Sequence, residues 1–131
     1  MDIEILEAKR RTDPRGWLLK VLMRGQLGVA REFGEIYVVR AEPGASRGGH
    51  VHAAATEWFC VLEGRATLAL RDTRSGERRE LALDAAHPAT VRVGPGVAHL
   101  FRTAGPAPFL LLAYSDRPYD PAAPDTLAAD A

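Results

Sequence analysis

The sequence predicts an all-β, single-domain barrel of the jelly-roll type, and three observations carry that expectation. Apolar residues recur at short spacing with no sustained helical period, and turn-forming residues interrupt them roughly every eight to twelve positions. The chain has 131 residues, enough for one self-supporting core and little more. A hydrophobic fraction of 47% with 26% charged residues excludes a disordered chain.

The strands are expected in order at 3–8, 17–23, 35–41, 57–63, 66–71, 78–83, 90–93, 98–103 and 109–114. Each is a short run rich in Val, Ile, Leu, Thr or aromatics, often alternating with polar residues, as in Glu35-Ile-Tyr-Val-Val and Ala66-Thr-Leu-Ala-Leu. The separators are turn chemistry: Asp13-Pro14-Arg15-Gly16, Pro43-Gly44, Glu63-Gly64, Ser75-Gly76, Gly94-Pro95-Gly96 and Gly105-Pro106. Residues 26–33 fit a helical turn or a loop equally well. Nine short strands need closure or stacking to protect their edges, which is what a jelly roll provides. The barrel is expected over residues 1–114. Residues 115–131 carry Pro118, Pro121 and Pro124, which deny that stretch a helix interior or a central strand. They predict an extended arm over the surface, frayed past Leu127.

Seventeen basic side chains balance seventeen acidic ones. A chain without net charge lacks the basic surface that phosphate-backbone binding needs, so no nucleic-acid partner is expected. One cysteine, Cys60, cannot form an internal disulfide, and its place between Phe59 and Val61 predicts a buried, inert thiol. No basic stretch followed by an apolar segment opens the chain, and the longest apolar run, 109–114, is far too short to span a bilayer. No membrane partner and a cytoplasmic location are the corresponding expectations.

Three of the four histidines fall in two short segments. In Gly44-Ala-Ser-Arg-Gly-Gly-His50-Val-His52, side chains two apart share one face of a strand, so His50 and His52 can point together into a barrel. Glu57 opens the next strand with Phe59 and Val61 on its own side, and Gly94-Pro95-Gly96 delivers His99 onto another strand. Three imidazoles and a carboxylate suit a borderline divalent ion: zinc, iron, manganese, nickel or cobalt. Singly these residues carry little. His87, before Pro88 in a turn, is expected to be exposed and idle, and Trp17, Tyr37 and Trp58 fit core or interface as well as a binding site.

The spacing G-x5-H-x-H-x4-E-x6-G, met by Gly44, His50, His52, Glu57 and Gly64, resembles the first motif of the cupin superfamily. Gly96 and His99 resemble its second motif, with Gly94 in place of the usual proline and Thr103 in place of the usual asparagine. Asp13-Pro-Arg15-Gly16 and Arg47-Gly-Gly-His50 resemble the D-x-R-G and R-G-x-H of nucleotide-sugar epimerases and isomerases in the RmlC-like branch. The ending Tyr119-Asp120-Pro121 is similar to the tail of the cupin domain in capsular-polysaccharide sugar-nucleotide reductases.

The resemblance implies a metal-binding epimerase or ketoisomerase acting on a nucleotide-linked 4-keto-6-deoxy sugar, with zinc the first choice of ion and iron, manganese or nickel as alternatives. It implies metal ligation by His50, His52, Glu57 and His99, and substrate binding by Arg15 and Arg47. The proton would be moved by His50 or His52 or, if His50 is a ligand, by Tyr37 or a metal-bound hydroxide. The position of the tyrosine acid of rhamnose-type 3,5-epimerases falls on Ala113, with Tyr114 pointing the other way. This disfavours a 3,5-epimerase and leaves a single epimerisation or a 3,4-ketoisomerisation. The branch also implies a homodimer. Two readings stay open beside this one: a dioxygenase using the same three histidines and glutamate, and a non-catalytic cupin that binds a small molecule.

Overall fold

A computed structural model describes residues 1–28 and 32–131. Its strands are β1 (Ile3–Glu7), β2 (Arg10–Asp13), β3 (Gly16–Leu19), β4 (Glu35–Ala41), β5 (Ser46–His52), β6 (Glu57–Glu63), β7 (Arg65–Asp72), β8 (Arg78–Asp84), β9 (Ala89–Val93), β10 (Val97–Thr103), β11 (Phe109–Ser115) and β12 (Thr126–Ala128). A short 3-10 turn covers Arg24–Gln26. The expectation for 26–33 falls partly on residues 29–31, which lie outside the described residues.

Two five-stranded antiparallel sheets form the barrel, in the orders β1-β9-β6-β11-β4 and β12-β5-β10-β7-β8, while β2 and β3 make a separate hairpin. The jelly roll expected from the strand rhythm is the fold observed. Strand parity turns Phe59, Val61, Val91, Leu111 and Ala113 inward from the first sheet and Leu68, Leu70 and Phe101 from the second. Phe101 bridges Phe59 and Phe109 at ring-centroid separations of 5.0 and 6.3 Å. Burying one such ring contributes about 2–3 kcal/mol. Phe59 also meets the His99 ring, so the aromatic core runs up to the polar side chains of the barrel.

Nine of the twelve strands sit close to the expected positions, and three were not expected. The segment Ser-Arg-Gly-Gly-His-Val-His of β5 has little intrinsic strand preference; pairing with β10 and β12 holds it. Gly48 and Gly49 take positive φ, and the register against β10 shifts between His99 and Leu100. This bulge bends the strand just before the two histidines. Among the described residues β2 pairs with β3 alone, and the strand expected at 17–23 is observed as Gly16–Leu19. Arg10 anchors this hairpin to the barrel through the Ala85 carbonyl and lies 4.6 Å from the Trp17 ring centroid.

The third unexpected strand is in the proline-containing arm. β12 pairs with β5, Thr126 against His52 and Ala128 against His50. Beyond Leu127 the chain remains attached: the Ala129 amide donates to the Gly49 carbonyl, Arg71 Nε donates to the Asp130 carbonyl, and Ala131 is buried. The fraying expected past Leu127 is therefore corrected by these contacts.

Both departures from the second histidine motif have local causes. The Gly94 amide donates to the Asp2 carbonyl at 2.8 Å, which proline cannot do. The Thr103 hydroxyl donates to the Glu42 carbonyl at 2.9 Å and so ties the end of β10 to the turn after β4.

Candidate active site

His50 and His52 leave β5 on one face, Glu57 opens β6, and His99 lies on β10 directly opposite His50. One ligand atom from each, a ring nitrogen or a carboxylate oxygen, lies within 4.8 Å of the other three. The His50 ring meets those of His99 and His52 edge-on, at centroid separations of 4.7 and 5.1 Å. His99 is 2% exposed and packs 5.2 Å from Phe59; Glu57 is 3% exposed, while His50 and His52 are half-buried. The residues singled out by spacing come together as a cluster.

The cluster has the polarity of a cation site. Glu57 Oε2 lies 3.0 Å from His52 Nε2 and 3.3 Å from His99 Nε2. His52 Nε2 and Glu57 Oε2 are nonetheless buried without a hydrogen-bond partner among the described residues. They stand close enough for electrostatic attraction but are not aligned for an N–H···O bond. Unpartnered buried polar atoms are costly, and a shared cation would satisfy both at once. The donor set of three imidazoles and one carboxylate fits a borderline divalent metal.

The surroundings tune each group. Burial alone would raise the Glu57 carboxyl, but contact with His52, His99 and the Tyr37 hydroxyl holds it well below the usual carboxylate range. The Tyr37 hydroxyl donates to Glu57 Oε1 at 2.6 Å. Its own pKa is pushed above the ordinary tyrosine range by burial, then by the charge and hydrogen bond of Glu57, so the phenol stays protonated. His50 is lowered to about 4, by burial first and then by His99 and His52, and is neutral at physiological pH. Burial also opposes charge on His52, but the contact and charge of Glu57 and of Asp125 outweigh it and raise that ring's pKa.

A cavity of about 800 Å³ opens over the cluster. His50, His52, Glu57, Tyr37 and Glu35 line its barrel side, and Arg117, Tyr119, Asp120 and Asp125 line the side built by the arm. The arm is thus a wall of the site. Sequence reasoning missed this, because proline spacing indicates extended chain but not where that chain docks. Arg117 is the guanidinium in this lining.

The two arginines expected at the substrate lie elsewhere in the chain. Arg15 is exposed on the β2–β3 turn, with Nη2 2.6 Å from Asp13 Oδ2. Arg47 is exposed opposite Phe101 on β5 and is not among the cavity-lining residues. Ala113 is fully buried and pairs with Tyr37 across β11 and β4. Opposed residues share a face, so Tyr37 presents its phenol on the side where Ala113 presents only a methyl. Tyr114 is buried but turned away from the barrel interior, its ring tilted against Trp58 at a centroid separation of 5.6 Å and its hydroxyl accepting the Gly34 amide. His87 is exposed, Trp17 is half-exposed, and Cys60 is fully buried with its thiol pKa raised by burial.

Comparison with known proteins agrees with this architecture. The polysaccharide biosynthesis C-terminal domain model matches residues 11–127. The chain is 28% identical over 117 residues to a UDP-2-acetamido-2,6-beta-L-arabino-hexul-4-ose reductase from Pseudomonas aeruginosa, covering 89% of this chain and 30% of the reductase. It therefore spans under a third of that relative's length. It is 23% identical over 128 residues to the spore coat polysaccharide biosynthesis protein SpsL from Bacillus subtilis, covering 94% of this chain and 84% of SpsL. A solved dTDP sugar isomerase from Desulfovibrio desulfuricans superposes with a TM-score of 0.88 at 22% identity, over 98% of this chain and 84% of the isomerase. With most of the barrel, both histidine motifs and the arm as far as Leu127 inside the matched region, the chain belongs to the polysaccharide biosynthesis C-terminal domain family and has the RmlC-like cupin fold.

Proposed function

We propose that this chain is an epimerase or ketoisomerase for a nucleotide-linked 4-keto-6-deoxy sugar, working by proton abstraction next to the ketone. The observation that carries this reading is the convergence of His50, His52, Glu57 and His99 beneath a cavity with a protonated tyrosine in its wall. The names of the reductase and the isomerase to which the chain is similar support a keto-sugar nucleotide as the substrate class. His52, Glu57 and His99 would hold a divalent cation, zinc first, with Glu57 and His99 buried and the two β5 histidines half-buried; His50 is the fourth donor or, when its ring is not coordinated, the base. A cation bound there supplies Lewis acidity to a substrate oxygen.

The chain's own groups then divide the work. A proton next to a ketone is removed when a neutral base reaches it, and His50 is neutral and faces the cavity. Tyr37 keeps its proton and so can return one, or can donate a hydrogen bond to a developing oxyanion. The glutamine variant His50→Gln is expected to abolish proton exchange while zinc is retained at reduced affinity, measured by NMR and metal analysis on the same sample. Loss of all zinc would make His50 a ligand first.

Arg117 fits the diphosphate, because guanidinium makes bidentate, charge-assisted contacts and the remaining charged lining is acidic. Arg117→Ala should raise KM roughly 10-fold or more with little change in kcat, the size expected for one such contact. A homodimer is part of the same proposal. Phe33, Ile36 and Val38 expose apolar surface on and beside edge strand β4, and Trp17 and Leu18 do so on the hairpin that carries Arg15. A solution mass of two chains checks it.

The deciding experiment is deuterium exchange. The protein is incubated in heavy water with dTDP- and UDP-linked 4-keto-6-deoxy sugars, and the C3 and C5 protons are followed by NMR. Selective loss of one signal is expected. No exchange from folded, zinc-loaded protein would overturn the proposal in favour of an oxygenase or a binding protein.

A further inference from the structure

We propose that Asp125 is a positioning residue for His52, holding the hydrogen on Nδ1 so that Nε2 stays bare toward Glu57 and His99. A neutral imidazole carries one N–H, and the partner at one nitrogen decides which nitrogen keeps a lone pair. On one side of the ring, His52 Nδ1 lies 3.5 Å from Asp125 Oδ2 and 3.4 Å from Thr126 Oγ1. On the other, Nε2 is buried 3.0 Å from Glu57 Oε2 with no hydrogen-bond partner among the described residues. His99 shows the same arrangement by different means: its Nδ1 stands 3.3 Å from the Val97 carbonyl, and its Nε2 faces Glu57 at 3.3 Å. One ring is set by local backbone, the other by a side chain brought from the arm.

Asp125 is itself firmly held. Its carboxylate accepts the Ala54 amide at 3.0 Å and the Ala55 amide at 2.8 Å, and its carbonyl accepts the Ala53 amide at 3.2 Å. The same contacts that dock the arm beside β5 therefore place the carboxylate at the imidazole. Docking of the arm and orientation of His52 are one event, and a cation drawn to Nε2 favours both.

The effect on zinc rests on the cation reading above; the effect on the ring does not. The test uses full-length Asp125→Asn, whose amide oxygen can keep the acceptor for the Ala54 and Ala55 amides at the Oδ2 position while the negative charge that faces Nδ1 is removed. With histidine ring nitrogens labelled, two-bond proton–nitrogen correlation on metal-free protein at about pH 9, above the histidine range, reads the tautomer. The His52→Gln variant assigns the signals. Wild type is expected to carry the hydrogen on Nδ1, and Asp125→Asn to shift it toward Nε2. Zinc affinity, from chelator competition, is expected to fall roughly 10- to 100-fold, the range for loss of such a partner. Asp125→Glu should recover most of both.

A wild-type ring with its hydrogen on Nε2 overturns the inference without any variant. Zinc-binding protein whose ring and affinity ignore Asp125→Asn overturns it and leaves the cation reading intact. Protein that takes up no zinc yet shows the Asp125-dependent tautomer overturns the cation reading and supports this one.

Discussion

Replacing His52 and His99 together by alanine is expected to take bound zinc from about one ion per chain to none, measured by elemental analysis after dialysis against trace metal. Two of the four donors go, and with them both rings that flank Glu57 Oε2. Glu57 then keeps the Tyr37 hydroxyl at Oε1 but has lost both imidazoles at Oε2, which is unfavourable for a buried carboxylate whether or not a cation is offered. The accompanying stability experiment separates ligation from packing. Zinc should raise the unfolding midpoint of the wild type, because a ligand that binds only the folded state adds RT ln(1 + [L]/Kd), and should leave the double variant unmoved. Glu57→Gln is the complementary probe: it keeps the shape and hydrogen-bonding reach of the side chain but removes the negative charge. Stoichiometric zinc retained by the double variant would sink the ligand assignment.

A large effect on folding is expected at Gly64, the last residue of the first histidine motif. It takes φ +76°, and a Cβ added there would stand 2.3 Å from the Pro108 carbonyl oxygen and 3.1 Å from the Phe109 Cα. Left-handed backbone costs an alanine about 1–2 kcal/mol, and the clash adds a forced shift of the strand that carries the fully buried Phe109. Gly64→Ala should therefore lose about 3–4 kcal/mol in denaturant unfolding. At this chain length that corresponds to a fall in midpoint of roughly 12 °C or more. Gly76→Ala is the control. Its φ is +79°, but nothing lies within 4 Å of the added Cβ, so only the conformational cost of about 1–2 kcal/mol remains. Equal losses at the two sites would show that close approach to β11 is not what the motif glycine provides.

Much of the site was legible before the fold was known, because its signals are local. Two histidines at spacing two share a face in any strand, and Glu57 begins a strand whose next inward residues are Phe59 and Val61. Turn glycines and prolines marked most strand boundaries for the same reason: φ restrictions act on single residues. β5 escaped notice because Gly48 and Gly49 make it a poor strand in isolation, and only its neighbours in the sheet satisfy its backbone.

Other features depend on contacts between residues distant in sequence. Nothing about Asp125 or Arg117 in the primary structure ties them to His52; the pairing of β12 with β5 and the path of the arm around the cavity do so. The same holds for Tyr37, whose role follows from facing Ala113 across two strands and meeting Glu57. Arg15 and Arg47 matched a familiar pattern, yet in a single chain one is paired with Asp13 at an exposed turn and the other lies outside the cavity lining. By itself, the sequence determined the strand periodicity, the turns and the four candidate ligands, because each of these is set by residue type and short spacing. Only the tertiary structure decided which partners orient those ligands and which charges face the cavity, because burial and distance, not order along the chain, set electrostatic strength.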